Sequence, residues 1–203
     1  MRMFHLIKRD VILQKKQLLI FIPFILFFIF MDVHPVLTFL VASVFIPFNT
    51  YAYDEKAETN ILLNSLPYTR KEIIASRYLG AIFYMSIAIV LTSAALFVFG
   101  KLFSLSDIAI GSGLFLLFAA CTFPLFYILK PGYITTAVII GFIVLSAMGP
   151  PVVLYLAEQF SGITDFIMNL SIPILYTGSI VLIMLIYLLS WGLSTAIYQR
   201  KVF

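Results

Sequence analysis

Charge is scarce in this sequence: Asp, Glu, Lys and Arg make up 11% of its 203 residues. A soluble domain of similar size carries about a quarter. Hydrophobic residues reach 63%, more than the interior of a soluble globule could hide. The scarcity of charge therefore excludes that class and makes lipid the solvent. Cysteine is scarcer still. Cys121 stands alone, which excludes an intramolecular disulfide and leaves the redox compartment open. Nucleotide-cradling sequence is missing too, since no G-x-x-x-x-G-K-[ST] occurs. Gly100-Lys101 is followed by Leu102 and does not qualify. Neither H-E-x-x-H nor G-x-S-x-G is present, so zinc proteolysis and the serine nucleophile elbow have no signature here.

What is present is a series of long apolar stretches. Six suit bilayer spans: roughly 17–34, 35–53, 78–100, 108–129, 133–157 and 172–197. At about 1.5 Å per residue each can cross about 30 Å of hydrocarbon. The expected fold is an all-α integral membrane protein, one domain over 1–203 with no repeat or linker. Met31-Asp32-Val33-His34-Pro35 forms a tight hairpin between the first two spans, with the proline starting the second. The spans hold almost no charged side chain; Tyr78–Gly100, Ile108–Leu129 and Leu170–Tyr198 contain no Asp, Glu, Lys, Arg or His. Proton-coupled transport needs such groups at membrane depth. The energy for any transport should come from elsewhere, although backbone carbonyls remain available to sodium.

Orientation follows from Lys and Arg. With a cytoplasmic N-terminus, the inside holds Arg2, Lys8, Arg9, Lys15, Lys16, Lys56, Arg70, Lys71, Arg77, Lys130, Arg200 and Lys201, and the outside only Lys101. Twelve against one satisfies the positive-inside rule in short loops. Both termini are thus expected in the cytoplasm, on a multi-pass protein. The net charge of +4 reflects this placement, and no nucleic-acid partner is expected. His5 and His34 then lie on opposite sides, which removes a shared metal site. His34 beside Asp32 reads as a hydrated interfacial loop, and Glu158 and Asp165 as a solvated outer surface. In residues 1–16, Phe4, Leu6, Ile7, Val11 and Leu13 oppose Arg2, Lys8, Arg9, Lys15 and Lys16, with Asp10 and Ile12 as exceptions. This reads as an interfacial helix, with a plain basic flank as the alternative. A signal peptide lacks its cleavage site.

Most of the hydrophilic sequence able to meet a partner lies between the second and third spans, at 54–77. Asp54, Glu55 and Glu58 precede Ile61, Leu62, Leu63 and Leu66, spaced for one helical face. Acidic residues at that helix's start suit its dipole. Pro67 ends the short helix, and Thr69-Arg70-Lys71-Glu72 forms a capping box opening a new one. A plain connection needs only a few residues. The pattern N-T-Y-A-Y-D-E-K, then L-L-N-S-L-P-Y-T-R-K-E-I-I-A-S-R-Y, resembles the loop of small bacterial permeases of the type-2 ATP-binding-cassette (ABC) exporter family. The branch it resembles includes the phenol-soluble-modulin exporter permeases. Only 49–78 is specific in sequence; elsewhere the likeness is architectural.

That resemblance implies six spans, an N-terminal interfacial helix and an outer re-entrant hairpin before the sixth span. It also implies a bacterial cytoplasmic membrane protein, a dimer of permeases, and a separate ABC-type ATPase seated on 54–77. Leu62, Leu63, Leu66 and Tyr68 would be its anchors, and Asp54, Glu55, Glu58, Arg70, Lys71 and Glu72 its rim, around the turn at Pro67. The permease itself would be no enzyme and bind no cofactor directly, ATP-Mg belonging to the partner. Its substrate would be hydrophobic or amphipathic, a peptide among the candidates, with lipid around it. A bundle without a polar interior offers an amphiphile little passage alone, hence a homodimer or close heterodimer. The alternative is the membrane substrate-binding component of an energy-coupling-factor importer. An intramembrane enzyme lacks the acidic and His groups its chemistry requires.

Two further features bear on packing. Met148-Gly149-Pro150-Pro151 should break or kink the fifth helix. Val152–Phe160 and Thr164–Leu170 would then be short apolar pieces joined at Ser161-Gly162, within the outer segment 157–171. The residues leave an ordinary loop and a re-entrant hairpin open, and the resemblance implies the hairpin. Gly111, Gly113, Ala137 and Gly141 permit close helix approach, and are expected to serve packing within one subunit, with packing between two as the alternative. For the topology, a reporter fused after Phe203 is expected in the cytoplasm, and one inserted at Ser161–Gly162 outside. A C-terminal reporter found outside would overturn the six-span reading.

Overall fold

The computed structural model describes residues 15–56, 68–129 and 133–200. The expected interfacial helix and the part of the polar loop from 57 to 67 lie outside the described residues. Among the described residues the chain is helical, as α1 Lys15–Phe30, α2 Pro35–Lys56, α3 Arg70–Val98, α4 Leu105–Ile128, α5 Ile134–Gln159, α6 Ser161–Met168 and α7 Ile172–Arg200. The six apolar stretches fall on α1, α2, α3, α4, α5 and α7. By length and composition α3, α4 and α7 can cross a membrane, with shorter apolar stretches at Ile20–Phe30 and Pro35–Asn49. The 29 residues of α3 measure about 44 Å, beyond the ~30 Å of hydrocarbon.

The helix ends show why the chain turns where it does. At the end of α1, Asp32 takes φ 55°, while Asp32 N donates to Ile29 O (3.2 Å) and Val33 N to Phe28 O (3.2 Å). This is a Schellman closure, with Asp in the left-handed position that glycine usually fills. The end of α3 repeats it: Gly100 at φ 65° donates to Phe97 O (3.1 Å) and Lys101 to Leu96 O (3.0 Å). The two closures meet, since Lys101 Nζ lies 2.6 Å from Asp32 Oδ1. That ammonium, by hydrogen bond and charge, holds the Asp32 carboxyl below its ordinary 3.8. The pair therefore contributes at neutral pH and is lost only as pH falls through the lowered value. Being exposed, it aligns the turns more than it stabilises them. His34 caps α2: its Nδ1 accepts from Val36 N (3.3 Å), which gives the ring a local structural role.

The described residues form two packed regions. In one, Leu40 of α2, Ile74 and Tyr78 of α3, Phe115 and Phe123 of α4 and Tyr187 of α7 come together. In the other, Phe21 and Ile25 of α1, Phe39 and Ile46 of α2 and Tyr84 and Ala88 of α3 do so. The main described contacts of α5 are with α6 and α4. Apolar side chains cover much of the outer surface, Ile172, Ile180 and Leu189 of α7 among them. Such a surface suits hydrocarbon.

One expectation is corrected. The fifth helix does not break at Gly149-Pro150-Pro151; α5 runs unbroken to Gln159 and the chain turns at Phe160. The strain before a proline arises partly against the preceding residue's Cβ, and Gly149 has none. Val152–Phe160 is therefore the end of α5 and not a separate piece. Thr164 Oγ1 of α6 donates back to Ala157 O (3.0 Å), holding the two helices together at the turn.

A Cβ built on Gly111 would lie 2.8 Å from Phe39 Cβ and 3.0 Å from Val36 O, whereas at Gly113 it meets only Ile183 Cδ1, at 3.1 Å. Both glycines serve packing within the subunit, while a Cβ at Gly141 meets nothing within 4 Å. Gly111→Ala should push α2 from α4 and cost about 1–3 kcal/mol, read as a lower melting temperature in detergent. Gly141→Ala should be neutral or stabilising by about 0.5–1 kcal/mol. Equal effects at the two positions would contradict this packing.

Candidate functional site

The polar loop leaves the bundle after α2 and returns at α3. Of the residues expected there, Glu58, Leu62, Leu63, Leu66 and Pro67 lie outside the described residues. Asp54 and Glu55 lie on α2, which is described to Lys56.

The returning strand of the loop is firmly held. Thr69, extended at φ −76° and ψ 149°, accepts from Glu72 N through its hydroxyl, and the Glu72 carboxylate accepts from Thr69 N. These distances are 3.2 and 2.8 Å, so the expected capping box is present. It satisfies two donors at the start of α3 and sets a carboxylate against the positive end of that helix. Arg70 Nη1 reaches across to the last turn of α7, donating to Gln199 O (2.7 Å) and Tyr198 O (3.4 Å). Carbonyls at a helix C-terminus are ready acceptors, and a cation suits that end. Tyr68 is half-buried against the core, so much of its ring is used inside the chain. Lys71 is exposed.

Eight residues into α3 the arrangement becomes a polar cluster that sequence reasoning missed. Tyr78 is fully buried, and its hydroxyl lies 2.8 Å from Ser190 Oγ and 2.7 Å from Ser194 Oγ. Ser190 Oγ in turn donates to Ala120 O (2.6 Å). Each hydroxyl carries one proton, which fixes the direction of the chain. Ser190 spends its proton on Ala120, so Tyr78 must donate to Ser190, and Ser194 to Tyr78. Ala120 O is available because the residue four places on, Pro124 inside α4, has no N–H to offer it. Tyr187 OH adds a bond to Tyr78 O (2.9 Å). The Tyr78 ring stacks on Trp191 (5.7 Å, 9°) and meets Phe123 and Tyr187 edge-on. The interior is therefore not the purely apolar one that the bare spans led us to expect. The signal was present: Tyr187, Ser190, Trp191, Ser194 and Tyr198 recur at helical spacing on one face of an otherwise aliphatic helix.

At the other end, where Tyr176 OH donates to Ser106 Oγ (2.9 Å), an apolar groove of about 410 Å³ opens between α4 and α7. Its walls are Leu116, Leu117, Ile180, Ile183 and Met184 above Gly113. No group of His, Cys, Asp or Glu among the described residues is arranged to hold a metal.

A helical membrane protein with a capped, anchored return at one end fits the family whose model matches. The model of the ABC-2 family transporter proteins covers residues 5–199. The chain belongs to that family. No curated protein and no solved structure matches it. An ABC-2 protein is a membrane transport component, generally not catalytic itself, that works with an ATPase. The capping box offers a local check. Thr69→Ala should cost about 0.5–2 kcal/mol, seen as a lower melting temperature, and Thr69→Ser little. An unchanged Thr69→Ala protein would show the box to be idle.

Proposed function

We propose that this ABC-2 protein is the permease subunit of an exporter, crossing a bacterial cytoplasmic membrane six times, with α1, α2, α3, α4, α5 and α7 as the crossings. Both termini are cytoplasmic, and α6 with the end of α5 forms a hairpin in the outer leaflet. A separate ABC-type ATPase carries ATP-Mg and docks on 54–77, and two permeases, identical or closely related, form the path. The observation that carries this reading is the anchored return of the loop. The Thr69–Glu72 box and the Arg70 bonds to the end of α7 give a docked partner a rigid handle on two membrane helices. The apolar groove and the absence of charged groups from most of the spans support a hydrophobic or amphipathic substrate. Family membership does not favour the importer alternative.

An amphipathic segment in a groove draws its energy from a few apolar anchors, with charges at the rim for register. Leu62, Leu63 and Leu66 are those anchors in this proposal, Tyr68 being half used by the core. Replacing the three leucines with alanine should weaken binding of the ABC ATPase encoded beside the permease by about 1–3 kcal/mol or more, at least tenfold in affinity. The spans are untouched, so the permease should still insert. Co-purification of that ATPase and ATP hydrolysis in proteoliposomes provide the readout. Unchanged values in the triple variant would remove the loop as coupling element.

A further inference from the structure

We infer that Tyr78 is a positioning residue which makes the loop-proximal parts of α3, α4 and α7 one rigid block, so that displacement of the loop moves all three helices together. The inference rests on the permease reading above. Its basis is the density of connections along a short length of chain. On α3, Arg70 and Tyr78 are eight residues apart, about 12 Å along the axis. Arg70 holds the last turn of α7 through Gln199 O, at 2.7 Å. Tyr78 holds the same helix two turns earlier through Ser194 and Ser190, at 2.7 and 2.8 Å, and Trp191 lies flat on its ring. Two attachments at separate heights prevent α3 from sliding along α7 or pivoting on it. The third helix joins through Ser190, whose proton goes to the Ala120 carbonyl that Pro124 leaves free. A proline is where α4 would otherwise bend, and Ser190 spans that weak point from outside the helix.

In the cluster around Tyr78 no side chain carries a charge, and the Tyr78, Ser190 and Ser194 hydroxyls each have their single proton engaged. Mechanical linkage suits such a chain better than ion binding or proton transfer. Removing the Tyr78 hydroxyl while keeping its ring should loosen α3 from α7 without emptying the core. Ser194 can then turn back to a carbonyl of its own helix, and Ser190 keeps its bond to Ala120.

The test uses the permease–ATPase complex in lipid nanodiscs, with spin labels on Leu79→Cys of α3 and Leu193→Cys of α7. Both positions are exposed. The exposed Cys121 is replaced by alanine. With Tyr78 intact, the label separation should be the same with and without a non-hydrolysable ATP analogue and Mg²⁺. In Y78F, the nucleotide should shift or broaden it by about 1–2 Å, the scale of helix shifts in switching proteins, with the ATPase still bound. A purely structural defect would change the distribution equally in both states. A nucleotide-dependent shift with Tyr78 intact, or a Y78F pair as unresponsive as the parent, overturns the inference. Should Y78F fail to fold, S194A removes one of the same bonds and is held to the same criteria. An ATPase that never assembles with the parent permease sinks the proposed function itself, and that result is seen before any distance is measured.

Discussion

The Tyr78 hydroxyl, between Ser194 and Ser190, is the interaction on which the arrangement of the bundle depends. In lipid, apolar side chains gain little by leaving hydrocarbon for one another, so helices associate through close packing and hydrogen bonds. The described interior uses both. Gly111 lets α4 approach α2 until a methyl group would no longer fit, and the hydroxyl chain joins α7 to α3 and α4. A membrane hydrogen bond is typically worth only about 0.6 kcal/mol. The chain matters because it is connected: Ser190 cannot serve both Tyr78 and Ala120 unless all three helices are in place. Pro124 creates the demand that Ser190 meets, and a freed carbonyl in hydrocarbon without a partner would cost more than any one of these bonds contributes.

The two ends of the bundle are built differently, and the difference matches their expected roles. At the Asp32–Lys101 end, helices close by Schellman turns whose exposed ion pair registers one turn against the other. Capping boxes open the following helix at both ends, Ser104–Asp107 for α4 and Thr69–Glu72 for α3. At the Arg70 end a charged side chain is in addition committed to backbone carbonyls of another helix. A loop that must transmit force gains from such an attachment, which a plain connection does not need.

The existence of the helices was legible in hydropathy, because apolar stretches of that length have few other uses. The T-R-K-E box was legible because its chemistry is local. Ser104-Leu105-Ser106-Asp107 carries the same signature with Asp in place of Glu and closes the same way. Proline misled in one place and hid information in another. At Pro150 it suggested a break that Gly149 helps to avoid. At Pro124 it marked a carbonyl needing a donor, and the donor lies 70 residues away on α7. Pairings such as Tyr78 with Ser194, 116 residues apart, leave no local trace. Only the hydroxyl face of α7, spaced at helical intervals, announced that a polar partner must exist. For the loop itself, the base was readable from Thr69 and Glu72. The use of Arg70 and Tyr68 inside the chain was not, since charge and aromaticity alone assign both to a surface.

The hydroxyl cluster also bears on where the energy for transport comes from. The bare spans already left little to bind a coupling ion, with backbone carbonyls as the remaining possibility. At Ala120 the carbonyl that Pro124 frees is taken by Ser190, and the carbonyl of Tyr78 receives the Tyr187 hydroxyl. A cation entering there would have to displace bonds that hold three helices together, and the carboxylates of those helices, Glu72 and Asp107, are engaged in capping boxes at the helix starts. Polar groups at this depth are thus arranged to satisfy one another. An arrangement of that kind binds ions poorly, which suits a membrane transport component of a family that works with an ATPase.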